Sequence, residues 1–178
     1  MANPFPPAPQ PFLLPLTQSI FLRSWQPSDR QGAAALIQSV LGEYNLPWQP
    51  KSADRDVVEV EQCYQEVGGE FWVLVQRKQG GGETLVGTAA YFPAEERGEG
   101  AVEIRKMYFD QSIRELGLGR TVLELLEVAI AQEGYTEIWL ETVSTMEAAV
   151  HIYETSGYKP ASDVETERCD RCYVKYLA

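Results

Sequence analysis

The stretch RELGLGR, Arg114 to Arg120, most constrains how this chain folds. It sets Gly117 and Gly119 one residue apart, between a strand-like run, AVEIRKMYF, and a long apolar-periodic run from about Leu118 to Gln132. Glycines at a strand-to-helix turn let the backbone come close to another group. The first amides of the helix that follows have no intrahelical partner and sit at the positive end of its dipole. Arg114 and Arg120 add full charges, so the turn has the ingredients of an anion site. A glycine loop that merely packs on the sheet has the same pattern, and the residues alone leave both readings open. Two familiar phosphate loops are excluded. The dinucleotide fingerprint needs a third glycine where Val122 stands, and a triphosphate loop needs a longer spacer and Lys before Ser or Thr.

The remaining pattern frames this turn. SIFLRSW (19–25) reads as a short strand, and Ser28 or Asp29 can cap a helix carrying Ala33, Leu36, Ile37, Val40 and Leu41. NLPWQPKS reads as a loop. From Asp54 the spacing of Val57, Val60, Cys63, Tyr64 and Val67 predicts a second helix, stopped by Gly68 and Gly69. FWVLVQR and TLVGTAAYF, joined by QGGGE, predict an antiparallel hairpin, with AVEIRKMYF as the next strand. After the glycine turn and its helix come the strand EIWLETV, an amphipathic helix over MEAAVHIYETS, and closing strands in YKPAS and CYVKYL. Hairpins followed by strand–helix alternation predict an α+β fold, a mixed sheet layered with helices.

Composition narrows the partners. A net charge of -11 opposes binding to nucleic acid, whose phosphates require a basic surface. It suits a cationic small molecule or basic peptide, although an acidic surface also serves solubility alone. Six prolines within the first fifteen residues predict an extended tail over 1–18, ahead of a single domain over 19–178. That tail lacks the basic start and apolar stretch of a secretory signal, and no run of about 20 apolar residues predicts a membrane span. Three cysteines, an odd number, point to a reducing cytoplasm. Cys169 and Cys172 fall within RCDRCYVKYL, read as a strand, where residues three apart face opposite sides and do not share a metal. His151 is the single histidine, so no metal site is expected.

From Ala101 to Pro160 the chain resembles the GNAT superfamily of N-acetyltransferases, about a third of its length. The family's R/Q-x-x-G-x-G/A motif stands here as Arg114-Glu115-Leu116-Gly117-Leu118-Gly119. Its second landmark, a helical tyrosine followed by a glycine–aromatic pair, stands as Tyr153-Glu154-Thr155-Ser156-Gly157-Tyr158. The resemblance implies a GNAT-like, largely antiparallel central sheet flanked by helices. It further implies an acetyl-CoA-dependent transfer to a primary amine of a small molecule or peptide, by a monomer or homodimer. A non-catalytic acyl-CoA-binding module is the alternative.

The roles of residues follow from the same resemblance. Gly117, Gly119 and the amides of Leu118, Arg120 and Thr121, with Arg114, Glu115 and Leu116 in the loop, are expected to hold the pyrophosphate of coenzyme A. The pantetheine arm is expected along Met107, Tyr108 and Phe109. Glu103 matches the position of a glutamate base, the Met107 N–H that of an oxyanion donor, and Tyr153 that of a general acid toward sulfur. Met146 stands where many family members carry an asparagine that bonds the pantetheine. Glu43, Tyr44 and Trp48 are the candidates for the acceptor wall, where acids and rings suit a cation.

Overall fold

The computed structural model describes residues 12–162 and 164–177. Thirteen elements follow in chain order: β1 (Leu13–Pro15), β2 (Ile20–Ser24), α1 (Arg30–Glu43), α2 (Arg55–Val58), α3 (Val60–Cys63), β3 (Glu70–Arg77), β4 (Glu83–Pro93), β5 (Ala101–Phe109), α4 (Leu118–Gln132), β6 (Glu137–Thr142), α5 (Glu147–Thr155), β7 (Lys159–Ala161) and β8 (Arg171–Tyr176). The strands form one eight-stranded sheet in the order β1-β2-β3-β4-β5-β6-β8-β7. Only β5 and β6 pair in parallel; the other neighbours are antiparallel.

The sheet is covered on both faces, so its central strands are apolar almost throughout. In β3, Trp72 and Leu74 enter the core shared with α4 and α5, whereas Phe71, Val73 and Val75 enter the core shared with α1, α2 and α3. This alternation follows from the two-residue repeat of a strand. Helix α1 buries Ala33, Leu36, Ile37, Val40 and Leu41, and α4 buries Leu118, Val122, Leu123, Leu126, Ala129 and Ile130. Each buried leucine or isoleucine contributes about 1.5–3 kcal/mol.

Three elements differ from the sequence expectation. The single helix expected from Asp54 is two short helices, broken at Glu59 (φ -123°, ψ 48°), and then a 3-10 turn. The β-branched Val57, Val58 and Val60 crowd the helical backbone there and lower its propensity. Residues 13–15, expected in the tail, form an edge strand on β2, a position that tolerates Pro15. Phe12 packs edge-on against Trp72. Five of the six tail prolines (Pro4, Pro6, Pro7, Pro9, Pro11) lie outside the described residues. The last strand starts at Arg171, so Cys169 lies in the loop before it rather than on it. No helix among the described residues is long and apolar enough to cross a membrane.

Between β4 and β5 the ladder slips. Thr88 pairs with Tyr108 but Ala90 pairs with Arg105, so Lys106 and Met107 together oppose Ala89. Lys106 adopts a left-handed backbone, φ 53°, uncommon for a side chain of its size. The bulge lies where the sheet opens toward the glycine turn.

Candidate active site

A groove of about 480 Å³ runs from the start of α4 to the bulge in β5, between the ends of α1 and α5. At its α4 end, Gly117 sits at the helix N-cap with φ 75°. A Cβ there would meet nothing within 4 Å, so the requirement for glycine is conformational and the open side faces the groove. Gly119 has a different reason. Its Cβ would lie 3.0 Å from Ile152 Cδ1, so a small residue lets α4 approach α5.

The amide of Thr121 already donates to the Gly117 carbonyl at 3.3 Å. The preceding first-turn amides, Leu118, Gly119 and Arg120, have no acceptor among the described residues, and no acidic side chain occupies the first turn. This leaves the helix N-terminus open to an anion. Arg114 is expected at the anion, but its guanidinium is engaged: Nε donates to the Phe109 carbonyl (3.0 Å) and both Nη atoms to Glu43 (2.5 and 2.9 Å). Arg120 bonds only the hydroxyls of Ser156 and Thr155. Glu115, at φ 66°, and the exposed Leu116 complete the turn.

A second, smaller cavity of about 80 Å³ lies against the bulge, lined among others by Leu46, Glu103, Arg105, Glu141, Arg168 and Cys169. The groove and this cavity share Met107, Tyr108, Met146, Ala149 and Tyr153. Tyr153 is buried in an aromatic group with Tyr158 and Tyr173. Burial raises its hydroxyl far above the ordinary tyrosine range, with lesser contributions from Tyr108 and Cys169. Tyr108 is pushed up to about 12, chiefly by burial.

Glu103 is buried on β5, and both its oxygens accept from Arg105, Nε at 2.7 Å and Nη2 at 3.1 Å. Burial nevertheless raises its carboxyl above 4.5, against the opposing pull of Arg105. Each oxygen retains a second lone pair, so the carboxylate can still accept a proton. The Arg105 guanidinium carbon lies 4.6 Å from the centre of the Phe92 ring.

The three residues expected at the acceptor wall do not line this cavity. Glu43 holds Arg114, Tyr44 lines the groove beside the glycine turn, and Trp48 packs on the core under α1. The resemblance points to them because they belong to the end of the first helix and the loop after it, and that segment sends each side chain elsewhere. His151 sits exposed at the rim of the groove.

Sequence reasoning missed a buried charge cluster over the small cavity. Asp54, fully buried, accepts from Lys106 Nζ (2.7 Å), from both Nη atoms of Arg168 (2.7 Å each) and from the Gln49 amide (2.9 Å). Burial would raise its carboxyl, but the Arg168 bonds and the Lys106 charge outweigh this and hold it at about 2. The partners are 52 and 114 residues away, and no local spacing signals such a contact. Cys169 lines the same cavity, and burial pushes its thiol up to about 11. None of Cys63, Cys169 and Cys172 is in a disulfide. Among the described residues no cluster of His, Cys, Asp and Glu is placed to hold a metal.

Comparison with known proteins agrees with this layout. Residues 34–158 match the model of the acetyltransferase (GNAT) family. The uncharacterized N-acetyltransferase YjgM of Escherichia coli is 30% identical over 145 residues, 80% of this chain and 83% of that protein. An uncharacterized N-acetyltransferase of Schizosaccharomyces pombe, C1271.07c, is 26% identical over 133 residues, 75% of this chain and 78% of its own. A GNAT-family acetyltransferase structure from Staphylococcus aureus superimposes with a TM-score of 0.79 at 20% identity, covering 90% of this chain and all of that one.

Proposed function

Because the chain belongs to the GNAT family and is an N-acetyltransferase, we propose that it carries the acetyl group of acetyl-CoA to a primary amine of a small molecule or peptide. The amine attacks the thioester directly, with no acyl-enzyme in between. One observation carries this reading: an anion-receptive groove and a cavity with a buried carboxylate meet at Met107 and Tyr153. A thioester lying in the groove then presents its carbonyl to an amine arriving from the cavity.

Each end of the groove has a task. The open amides of Leu118, Gly119 and Arg120, with Gly117 leaving room, hold the pyrophosphate of coenzyme A. Arg114 supports this loop through Glu43 rather than reaching the anion itself. The pantetheine arm lies along Met107, Tyr108 and Phe109, adding to the strand edge that the bulge opens.

The transfer needs a neutral amine, yet a free alkyl amine with pKa of about 10.4 is protonated at neutral pH. Glu103 takes that proton, directly or through water. The nitrogen lone pair then forms the C–N bond, and negative charge gathers on the carbonyl oxygen. The Met107 N–H stabilises this oxyanion, a role that requires no particular side chain. As the C–S bond breaks, the electron pair leaves on sulfur and the Tyr153 hydroxyl supplies a proton to it, while the nitrogen sheds its second proton, which leaves the phenolate protonated again. Burial keeps that hydroxyl protonated, as a donor must be. Three cysteines outside any disulfide suit action in a reducing compartment such as the cytoplasm.

A panel of primary amines, assayed for thiol release and acetylated product with acetyl-CoA, tests the reading. Release of free thiol matched by acetylated amine is the expected result. Binding of acetyl-CoA without thiol release from any amine would favour a non-catalytic acyl-CoA-binding module instead.

A further inference from the structure

The buried cluster around Asp54 has no part in the transfer described above, yet two of its members, Lys106 and Arg168, line the small cavity. Asp54 ends the loop that follows α1, and its carboxylate gathers three chain segments. Gln49 N–H donates from its own loop, Arg168 reaches across from the loop before β8, and Lys106 reaches in from the bulge of β5. The Lys106 ammonium also donates to the Ala53 carbonyl at 2.8 Å and lies 3.1 Å from Asp56, whose other oxygen accepts from the Tyr64 hydroxyl. Two carboxylates face two cations, and the side chains of Lys106 and Asp54 are only 4% and 0% exposed.

A left-handed lysine needs an external hold to persist. Lys106 is held at both ends. Its carbonyl accepts from the buried Thr88 hydroxyl at 2.7 Å, and its ammonium is fixed by Asp54. The dihedral angles of Lys106 set the orientation of the peptide that carries the Met107 N–H. Lys106 and Met107 share Ala89 opposite them, so neither has a one-to-one ladder partner to impose that orientation.

We propose that Asp54 is a positioning residue, which holds Lys106 in its left-handed conformation and so aims the Met107 N–H at the acyl carbonyl. Through Arg168 the same carboxylate anchors both loops that roof the acceptor cavity. The oxyanion donor and the acceptor roof are therefore one mechanical unit. This rests on the acetyl-CoA reading given above.

The test uses the full chain and acetyl-CoA labelled with ¹³C at the carbonyl, whose infrared stretch falls when an N–H donates to it. Wild-type turnover and acetyl-CoA affinity come first; if neither is found, the acetyltransferase reading itself is refuted. Given both, Asp54→Asn is expected to keep the acetyl-CoA Kd within about twofold. It should lower kcat roughly ten- to a hundredfold, less than the roughly hundred- to thousandfold cost of removing a preorganised oxyanion donor outright. The bound carbonyl stretch should move back toward its value in water. Lys106→Met, which leaves the Asp54–Arg168 pair in place, serves if Asp54→Asn fails to fold and should give the same three results. Lys106→Arg should recover most of kcat and of the infrared shift. A folded Asp54→Asn or Lys106→Met protein with wild-type kcat and an unchanged carbonyl stretch would overturn the proposal. A loss of kcat without any change in the stretch would overturn it too, since the role would then be structural support alone.

Discussion

Replacing Tyr153 by phenylalanine removes one hydroxyl and leaves the ring that separates the groove from the small cavity. We expect kcat to fall by about 10²-fold, in the range of a lost general acid. Acetyl-CoA affinity measured by calorimetry should stay within about twofold, because the role proposed for the hydroxyl is on the leaving sulfur. Glu103 makes a pH-dependent prediction. Its raised pKa means that the carboxylate takes up a proton at a higher pH than an ordinary glutamate. The protonated form accepts no further proton, so kcat/KM should fall as pH drops through a value above 4.5. Glu103→Gln should lower kcat/KM and abolish that acid limb. An unshifted limb in the variant would assign it to another group. The strand position of Met107 and the helical position of Tyr153 were legible from the sequence, because each lies in an element whose residue pattern is regular or β-forming. Asp54 was not, because its partners come from remote segments and each of its contacts depends on the finished fold.

At the scale of elements, the glycine turn and α4 are where sequence and structure agree most closely. The apolar spacing from Leu118 to Gln132 marks the helix that the structure contains, and Ala101–Phe109 is likewise the observed strand. Helix α4 is long and buries a regular face, so periodicity alone defines it. Strand β5 is buried on both faces at its start and is marked by its β-forming residues and the turns around it. The segment after Asp54 was less legible. Its apolar residues lie at helical spacing, but a run of β-branched valines does not sustain one continuous helix. The bulge at Lys106 left no trace in the pattern, since an inserted residue does not change residue types. The two glycines should respond differently to substitution. Gly117→Ala forces a Cβ into a left-handed conformation, at roughly 1–2 kcal/mol, and should weaken acetyl-CoA binding. Gly119→Ala meets only the tip of the Ile152 side chain and should cost less. Chemical denaturation and acetyl-CoA titration of both variants measure this order.

The whole molecule is acidic, at -11, yet the charges around its candidate site are closely paired. The acidic surface therefore carries little information about the acceptor, and the net charge alone could not locate the site. Asp54 links the site to global stability. Its carboxyl is held at about 2, against 3.8 for an ordinary aspartate. A depressed carboxyl stabilises the fold fully above the unfolded value, and that contribution fades as pH falls from about 4 through about 2. The shift corresponds to roughly 2 kcal/mol. Urea denaturation between pH 5 and pH 2 should show Asp54→Asn losing less stability over this window than the wild type.

We propose that two cavities meeting at Met107 and Tyr153 pass an acetyl group from acetyl-CoA to an amine. The most direct measurement of that transfer is the release of free thiol from acetyl-CoA across a broad panel of primary amines, with mass detection of the product. The account predicts stoichiometric thiol and acetylated amine with at least one class of acceptor, and a strong loss of both in Tyr153→Phe. Absence of amine-dependent thiol release throughout the panel, in a protein that binds acetyl-CoA, would contradict it.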